Sequence, residues 1–388
     1  MATDVLKSSA SKLSPKDGNS DQMQTNFDVL LAHNESKAEA FLDEMRGKKP
    51  LFICTIATTE TAKISGISAA GKYPEFTDYT PPADAELLLL GKCKCIAGVP
   101  VTPEGIPTPA LITMSALRLA DIPVLVASGG LKVKPYIPIL DLGGNPGKDI
   151  RTGNAVENVE EVIQRATIAG ENLAKTADYL VIGESIPGGT TTALGVLLAM
   201  GVNAEGKVSS SMPDNPHGLK VETVKAGLSA SGVSPGSLAN NPIKAISCVG
   251  DPMMPAFAGL VIGAAAQVPV LMAGGTQMSA VLAVVKALKP DVLCNVAIGT
   301  TRWVVSDSSS DLRGIVSQIS DVPILAADID FSGSRFEGLK AYEQGIVKEG
   351  VGAGGAAIAA MAKLEGAVTK DLLLREIERN YALLMGTK

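Results

Sequence analysis

Aromatic side chains are scarce in this 388-residue sequence, at 4 % of the total with a single tryptophan. No surface can then stack successive bases, and there is no basic excess to compensate, because the formal net charge is −6. Nucleic acid is not an expected partner. Histidine is rarer still, with two in the chain, and the five cysteines are an odd number. Cys93-Lys94-Cys95 lacks the spacing of a zinc knuckle, and most of the cysteines sit in or beside apolar runs. These features exclude a disulfide frame and a metal site, and read as reduced thiols in a cytoplasmic protein. Residues 1–24 are rich in Ser, Lys, Asp, Asn and Gln and lack the apolar core of a secretory signal, so they read as a disordered tail. The most apolar stretch, Ala256–Gly275, is interrupted by Gln267 and Pro269 and divides into a helix and a strand, so no membrane span is expected.

Small and aliphatic residues are abundant instead. Apolar residues reach 46 % and glycine numbers 40, which points to helices packed closely on a sheet with many tight turns. Runs of strand length rich in Val, Ile and Leu occur at Leu51–Ala57, Ile122–Ala127, Tyr179–Gly183, Ile243–Val249, Val268–Ala273, Val292–Ala297 and Val322–Ala327. Their lack of polar alternation fits strands buried on both faces. Helix-like segments lie between them, near Pro109–Ala120, Ala155–Ala174, Thr192–Met200, Lys220–Ala230, Met253–Gln267, Gln277–Lys289 and Phe336–Val347. The alternation predicts an α/β fold with a doubly wound, mostly parallel sheet. Phe27–Arg46 and Asp371–Leu384 both read as helical. Segments 25–48 and 366–388 are therefore expected to form a small helical domain beside a large α/β domain spanning 49–365.

Two glycine-rich turns carry the candidate chemistry. The first follows the run Leu180-Val181-Ile182-Gly183-Glu184 and contains Gly188, Gly189, Thr190 and Thr191 before a helix. Glycines let backbone approach a phosphate, and free N–H groups at a helix start favour an anion. The same run also fits an ordinary strand–turn–helix with a threonine cap. Glu184 stands alone, so a paired-acid magnesium clamp is not formed, and no Gly-Lys-Ser/Thr follows at the spacing of a Walker A loop. The second turn is Lys348-Glu349-Gly350-Val351-Gly352-Ala353. A carboxylate among glycines is open to a ligand, and partial burial would raise its pKa toward a useful general base; an exposed acid between helices fits as well. At Gly250-Asp251-Pro252-Met253 a further glycine turn precedes a helix. Asp251 reads first as its N-cap, and Met253 as core filler or the soft wall of a flat base pocket. Lys220 opens a helix, where a cation is unfavourable unless an anion compensates.

In this order, Thr152-Gly153-Asn154, Gly183-Glu184, Gly189-Thr190-Thr191, Lys220, the Gly250 turn, Val270-Leu271 with Gly274, and Glu349-Gly350 with Gly352-Ala353 resemble the nicotinate-nucleotide–dimethylbenzimidazole phosphoribosyltransferase family. The likeness is greatest to its divergent archaeal and cyanobacterial branch, and it covers roughly Thr152 to Ala357. The resemblance implies transfer of the phosphoribosyl group of nicotinate mononucleotide to a nitrogen base, giving the α-nucleotide of the cobamide lower ligand. It also implies a homodimer and no cofactor. Glu349 falls on the family's catalytic glutamate. Glu184 and Lys220 fall on phosphoribosyl-site positions, where Gly188, Gly189, Thr190, Thr191, Gly250 and Asp251 are expected to join them. Tyr73, Met253, Lys348 and Gly350 are expected near the base. The chain departs from the family at Ala273, where an Asp is usual, at Ile186, where a Gly is usual, and at the Asp251-Pro252 turn. It also has no clean counterparts, near Tyr73–Thr80, of the Ser and Gln that face the base.

Overall fold

The computed structural model describes residues 27–70, 73–102, 105–212 and 214–386. The tail expected over 1–24 lies outside the described residues. Among the described residues, eight strands form one sheet: β1 (Val29–His33), β2 (Pro50–Ala57), β3 (Val124–Gly130), β4 (Leu140–Asp141), β5 (Tyr179–Ser185), β6 (Val270–Ala273), β7 (Val296–Thr301) and β8 (Ile324–Ala327). Their spatial order is β1-β8-β7-β6-β5-β2-β3-β4. All neighbours run parallel except β1, which is antiparallel to β8. β2 and β5 are buried along their whole length, as their continuous apolar runs require.

Alternate side chains of each strand enter different cores. Ile53, Leu180, Ile182, Val270 and Met272 belong to one; Phe52, Cys54, Val181, Leu271 and Ala273 belong to the other. The helices of the described residues, in chain order, begin with α1 (Glu35–Met45), α2 (Thr80–Leu90), α3 (Ala110–Leu119), α4 (Val159–Leu173), α5 (Gly189–Ala199), α6 (His217–Ala230) and α7 (Pro242–Val249). They continue with α8 (Met253–Ala265), α9 (Gln277–Leu288), α10 (Arg302–Val305), α11 (Leu312–Ile319), α12 (Glu337–Lys340), α13 (Ala353–Lys363) and α14 (Lys370–Met385). Helices α4, α5, α7, α8, α9 and α11 fill the first core, and α1, α3, α13 and α14 fill the second. The chain runs from β2 outward to β3 and β4, then returns to β5 on the opposite side of β2. The direction of winding thus reverses between β2 and β5. In open α/β sheets that reversal leaves a crevice at the carboxyl ends of the strands.

The expected doubly wound, mostly parallel sheet with helical additions is present. Several elements differ from the sequence reading, each for a local reason. Ile243–Val249 is helical, not a strand. Asn241 accepts from Lys244 N at 3.1 Å and Pro242 takes the first helical position, a start signal that outweighs three β-branched residues. Phe27–Arg46 is not one helix. β1 comes first, and Asn34, with φ of 51°, turns the chain into α1. The strand expected over Val292–Ala297 begins only at Val296, after a 3₁₀ segment over Pro290–Asn295. Phe336–Val347 holds only the short α12 and a 3₁₀ turn that Gly345 closes at φ 76°. Helices α2, α10, α11 and α13 have no counterpart in the sequence reading.

Of these, α13 sets the geometry at the strand ends. A Cβ built on Gly354 would lie 2.0 Å from the Thr300 carbonyl carbon, and one on Gly355 would lie 2.3 Å from the Ala273 Cβ. Glycines therefore let the helix rest directly on β6 and β7. The same contact accounts for Ala273, because no larger side chain fits under Gly352 and Gly355. Since the neighbour of Gly354 is backbone, Gly354→Ala should destabilise by about 1–3 kcal/mol. Urea unfolding of the variant against the wild type measures this directly.

Candidate active site

A cavity of about 150 Å³ opens at the carboxyl end of β5, beside segments that follow β2, β6 and β7. It is built from several separate segments. At the end of β5, Glu184 and Ser185 lead into the Ile186–Thr190 turn. Gly188 is left-handed there, at φ 79°, and its missing Cβ would meet Ala62 at 3.0 Å. Ile186 occupies space that Gly189 leaves free, since a Cβ on Gly189 would lie 2.9 Å from the Ile186 Cγ2. The other walls are Ile67–Ala70, Thr80 and Asp84 of α2, Pro100–Thr102 with Ile106–Pro109, Ser209–Ser211, Gly275 and Gln277 at the start of α9, Val304, and the Val347–Val351 loop.

The Val347–Val351 loop is strained. Val347, Lys348 and Val351 have φ of 70°, 52° and 55°. Residues other than glycine, and β-branched ones above all, rarely adopt such values, and each instance costs roughly 1–3 kcal/mol. Contacts from four directions hold it. Val351 N donates to Glu184 O at 2.8 Å and Val347 N to Ser211 O at 3.2 Å. Thr301 Oγ1 donates to Lys348 O at 2.7 Å, and Thr113 Oγ1 to Val351 O at 2.9 Å. The Lys348 ammonium is paired with Asp307 at 2.7 Å in a buried setting. The loop thereby presents Glu349 to the cavity just ahead of α13. Its carboxylate accepts from Gly350 N at 3.1 Å and from Gly354 N at 3.2 Å.

Burial is the largest influence on the acids. It pushes Glu349 up to about 7 against the opposing pull of the backbone N–H groups. It pushes Glu184 well above the usual carboxylate range, helped by the charges of Asp251 and Glu349. Glu184 accepts from Gln277 Nε2 at 2.5 Å and from Ile186 N at 3.0 Å. Two carboxyls near one another, Glu184 buried and Glu349 half-buried and poised at neutrality, can hold and release a proton inside the cavity. Among the described residues no three His, Cys, Asp or Glu side chains are grouped to hold a metal ion. No helix among them is long and apolar enough to cross a membrane.

The chain is 47 % identical over 325 residues to the UPF0284 protein of Methanothermobacter thermautotrophicus, covering 83 % of this chain and 90 % of that protein. It belongs to the UPF0284 protein family. The member from Sulfolobus acidocaldarius is 46 % identical over 351 residues, 89 % of this chain and 99 % of its own. Residues 117–302 match the family model described as a phosphoribosyltransferase, and this UPF0284 member is an enzyme of that class. CobT from Thermus thermophilus shares the fold, with a TM-score of 0.55 at 17 % identity over 91 % of this chain and 94 % of that one. A second structure from that organism, described as nicotinate-nucleotide-dimethylbenzimidazole phosphoribosyltransferase, matches equally well at 16 % identity. The matched span of 117–302 contains Glu184 and Lys220 but ends before Glu349.

In this UPF0284 protein, Glu184, Gly188, Gly189, Thr190, Lys348, Glu349 and Gly350 all line the cavity. The remaining sequence candidates are not among its lining residues. Thr191 is buried beneath the turn. Asp251 caps α8, accepting from Met253 N at 3.0 Å and Met254 N at 3.2 Å, and Thr192 donates to it at 2.5 Å. Gly250 is packed on Ile246, with 2.8 Å left for a Cβ, and Met253 is buried in the first core. Tyr73 is exposed and tilted against Phe76. Lys220 is fully buried and donates to Ser209 O at 2.5 Å and Asn215 Oδ1 at 3.2 Å. It pins the serine segment from behind. Burial first, and then the Lys348 charge, lowers its pKa to about 7.

Asp84, Thr108, Ser185, Ser209–Ser211 and Gln277 line the cavity although the sequence reading singled out none of them. The signals available were an acid inside the apolar helix Thr80–Leu90 and a run of three serines. Because Lys220 acts through the serine segment, Lys220→Met should keep the fold, with a melting temperature at or above that of the wild type. The same variant should loosen the serine segment, with amide hydrogen exchange over Ser209–Ser211 roughly 10-fold or more faster, the size expected for losing a charged hydrogen-bond donor. Thermal melting and hydrogen exchange together separate the two effects.

Proposed function

We propose that this protein transfers the phosphoribosyl group of nicotinate mononucleotide to a nitrogen base, a benzimidazole or a purine, giving an α-ribazole-type nucleotide for the cobamide lower ligand. The reading extends to a cytoplasmic homodimer that acts on small molecules. The observation that carries it is the convergence of Glu349 and the Gly188–Thr190 turn in one cavity, with the Glu349 carboxyl poised at about 7. The kinship in fold with the Thermus thermophilus enzyme supports it.

The chemistry suits these residues. Nicotinate is joined to C1′ through a cationic pyridinium nitrogen. As that bond breaks, the bonding pair stays with the ring nitrogen, which becomes neutral, so no acid is needed to assist departure. The incoming base attacks C1′ through an unprotonated ring nitrogen and must shed the proton carried on its other ring nitrogen. Glu349, ionised, accepts it. Backbone N–H groups at the start of α5 and the hydroxyls of Thr190 and Ser209–Ser211 suit the phosphate. Glu184 braces the strained loop through its carbonyl and holds Gln277 through its carboxylate.

Glu349→Gln removes the proton acceptor with little change of shape. It should lower kcat by roughly 10²–10⁴-fold. A base acts only when ionised, and the pKa of Glu349 is raised by burial. Wild-type kcat/KM should therefore rise about tenfold per pH unit below about 7 and level off above it. The variant should lose that limb. Product analysis by mass spectrometry should show α-nucleotide and nicotinate. Ribose 5-phosphate as the main product would indicate a nucleosidase instead, and equal rates for Glu349→Gln and wild type would overturn the mechanism.

A further inference from the structure

Asp84 lines the same cavity as Glu349, yet the transfer chemistry above gives it no task. It projects from α2, whose other buried positions are apolar apart from Glu86, an acid held by the backbone N–H groups of Lys94, Cys95 and Tyr136. The side chain is 2 % exposed. Each oxygen accepts one hydroxyl: Oδ1 from Thr108 and Oδ2 from Ser185, both at 2.7 Å. A carboxylate offers about four lone-pair sites. One site on each oxygen therefore takes no donor among the described residues. The adjoining lining is apolar, formed by Ile106, Pro107, Pro109 and Val351.

A carboxylate buried among apolar walls is destabilised unless its hydrogen bonding is completed. Two neutral hydroxyls complete half of it here, and burial still pushes the carboxyl up to about 7. A phosphate is the wrong complement, because its charge is repelled. The right complement is a flat apolar ring that carries N–H donors at its edge. We infer that Asp84 selects the acceptor base by accepting a hydrogen bond from an exocyclic amino group, so that amino-substituted nitrogen bases are the preferred acceptors. This rests on the proposed transfer reaction insofar as the acceptor occupies this cavity. Asp84 is a specificity-determining residue in this account, and the ring N–H still goes to Glu349.

Matched acceptors that differ only in the amino group test it: purine against adenine, and benzimidazole against 5-aminobenzimidazole. Initial rates with nicotinate mononucleotide are measured on the full chain, about one pH unit above 7 so that Asp84 is ionised. The wild type should favour the amino member of each pair, and Asp84→Asn should shrink that preference by roughly 10–100-fold in kcat/KM, the span expected for a hydrogen bond to a charged group. A variant that loses rate equally on both members of a pair would overturn the inference, since a structural bolt or a ribose contact would act that way. So would a wild type with no preference, a result that does not depend on the variant folding. If the wild type transfers to no base at all, the reaction itself is wrong. Calorimetric binding of adenine against purine, to wild type and to Asp84→Asn, then decides the role of Asp84 alone; equal affinities throughout would reject it.

Discussion

Helix α13 begins directly on the carboxyl ends of the central strands, with almost no side chain in between, and the cavity depends on that contact. Gly352, Gly354 and Gly355 press on Gly183, Thr300 and Ala273. Side chains at these points would hold the helix off the sheet. Seated as it is, the helix directs a free N–H of its first turn at Glu349 and draws the preceding loop into left-handed backbone. The strain of Val347, Lys348 and Val351 is held by hydrogen bonds to β5, to the serine segment, to β7 and to α3. Strain of this kind persists only where the surroundings over-determine it. Here it fixes one carboxylate at the reversal point of the sheet.

The charges around the cavity follow a common pattern. Glu184, Asp84 and Asp251 are buried and Glu349 is half-buried; all four have neutral hydrogen-bond donors as partners, and desolvation raises each. The cations are already engaged. Lys348, at the cavity wall, is committed to Asp307, and Lys220, behind the serine segment, to a carbonyl and an amide oxygen. An acid held by N–H and O–H groups stays close to its point of ionisation, whereas one paired with a lysine would be fixed as an anion. The arrangement favours proton exchange over permanent charge.

Much of the fold was legible because β2, β5, β6 and β8 are buried on both faces and so read as mainly apolar runs without polar alternation. What misled was short and locally ambiguous. Ile243–Val249 has strand-like composition, and only Asn241-Pro242 announces a helix. Val29–His33 is too brief to separate from the helix after it. In the site, Glu349 and the Gly188 turn stood out because an acid or a hydroxyl beside glycine has a local chemical meaning. Asp84, Gln277 and Ser209–Ser211 do not; they become site residues only when distant segments converge. Lys220 and Asp251 were visible as charged residues at helix starts. Their fully buried positions, one behind the serine segment and one beneath α5, depend on contacts more than ten residues away.

The two rims of the sheet share a property that bears on the molecule's behaviour in a crowded solution. One rim is β4, two residues long. The other is β1, which reverses the strand direction and carries a register break between Leu31 and His33. A long, straight outer strand offers a row of unpaired backbone groups on which another chain can add. Among the described residues, one border strand is two residues long and the other is short and irregular, which disfavours growth of the sheet by strand addition.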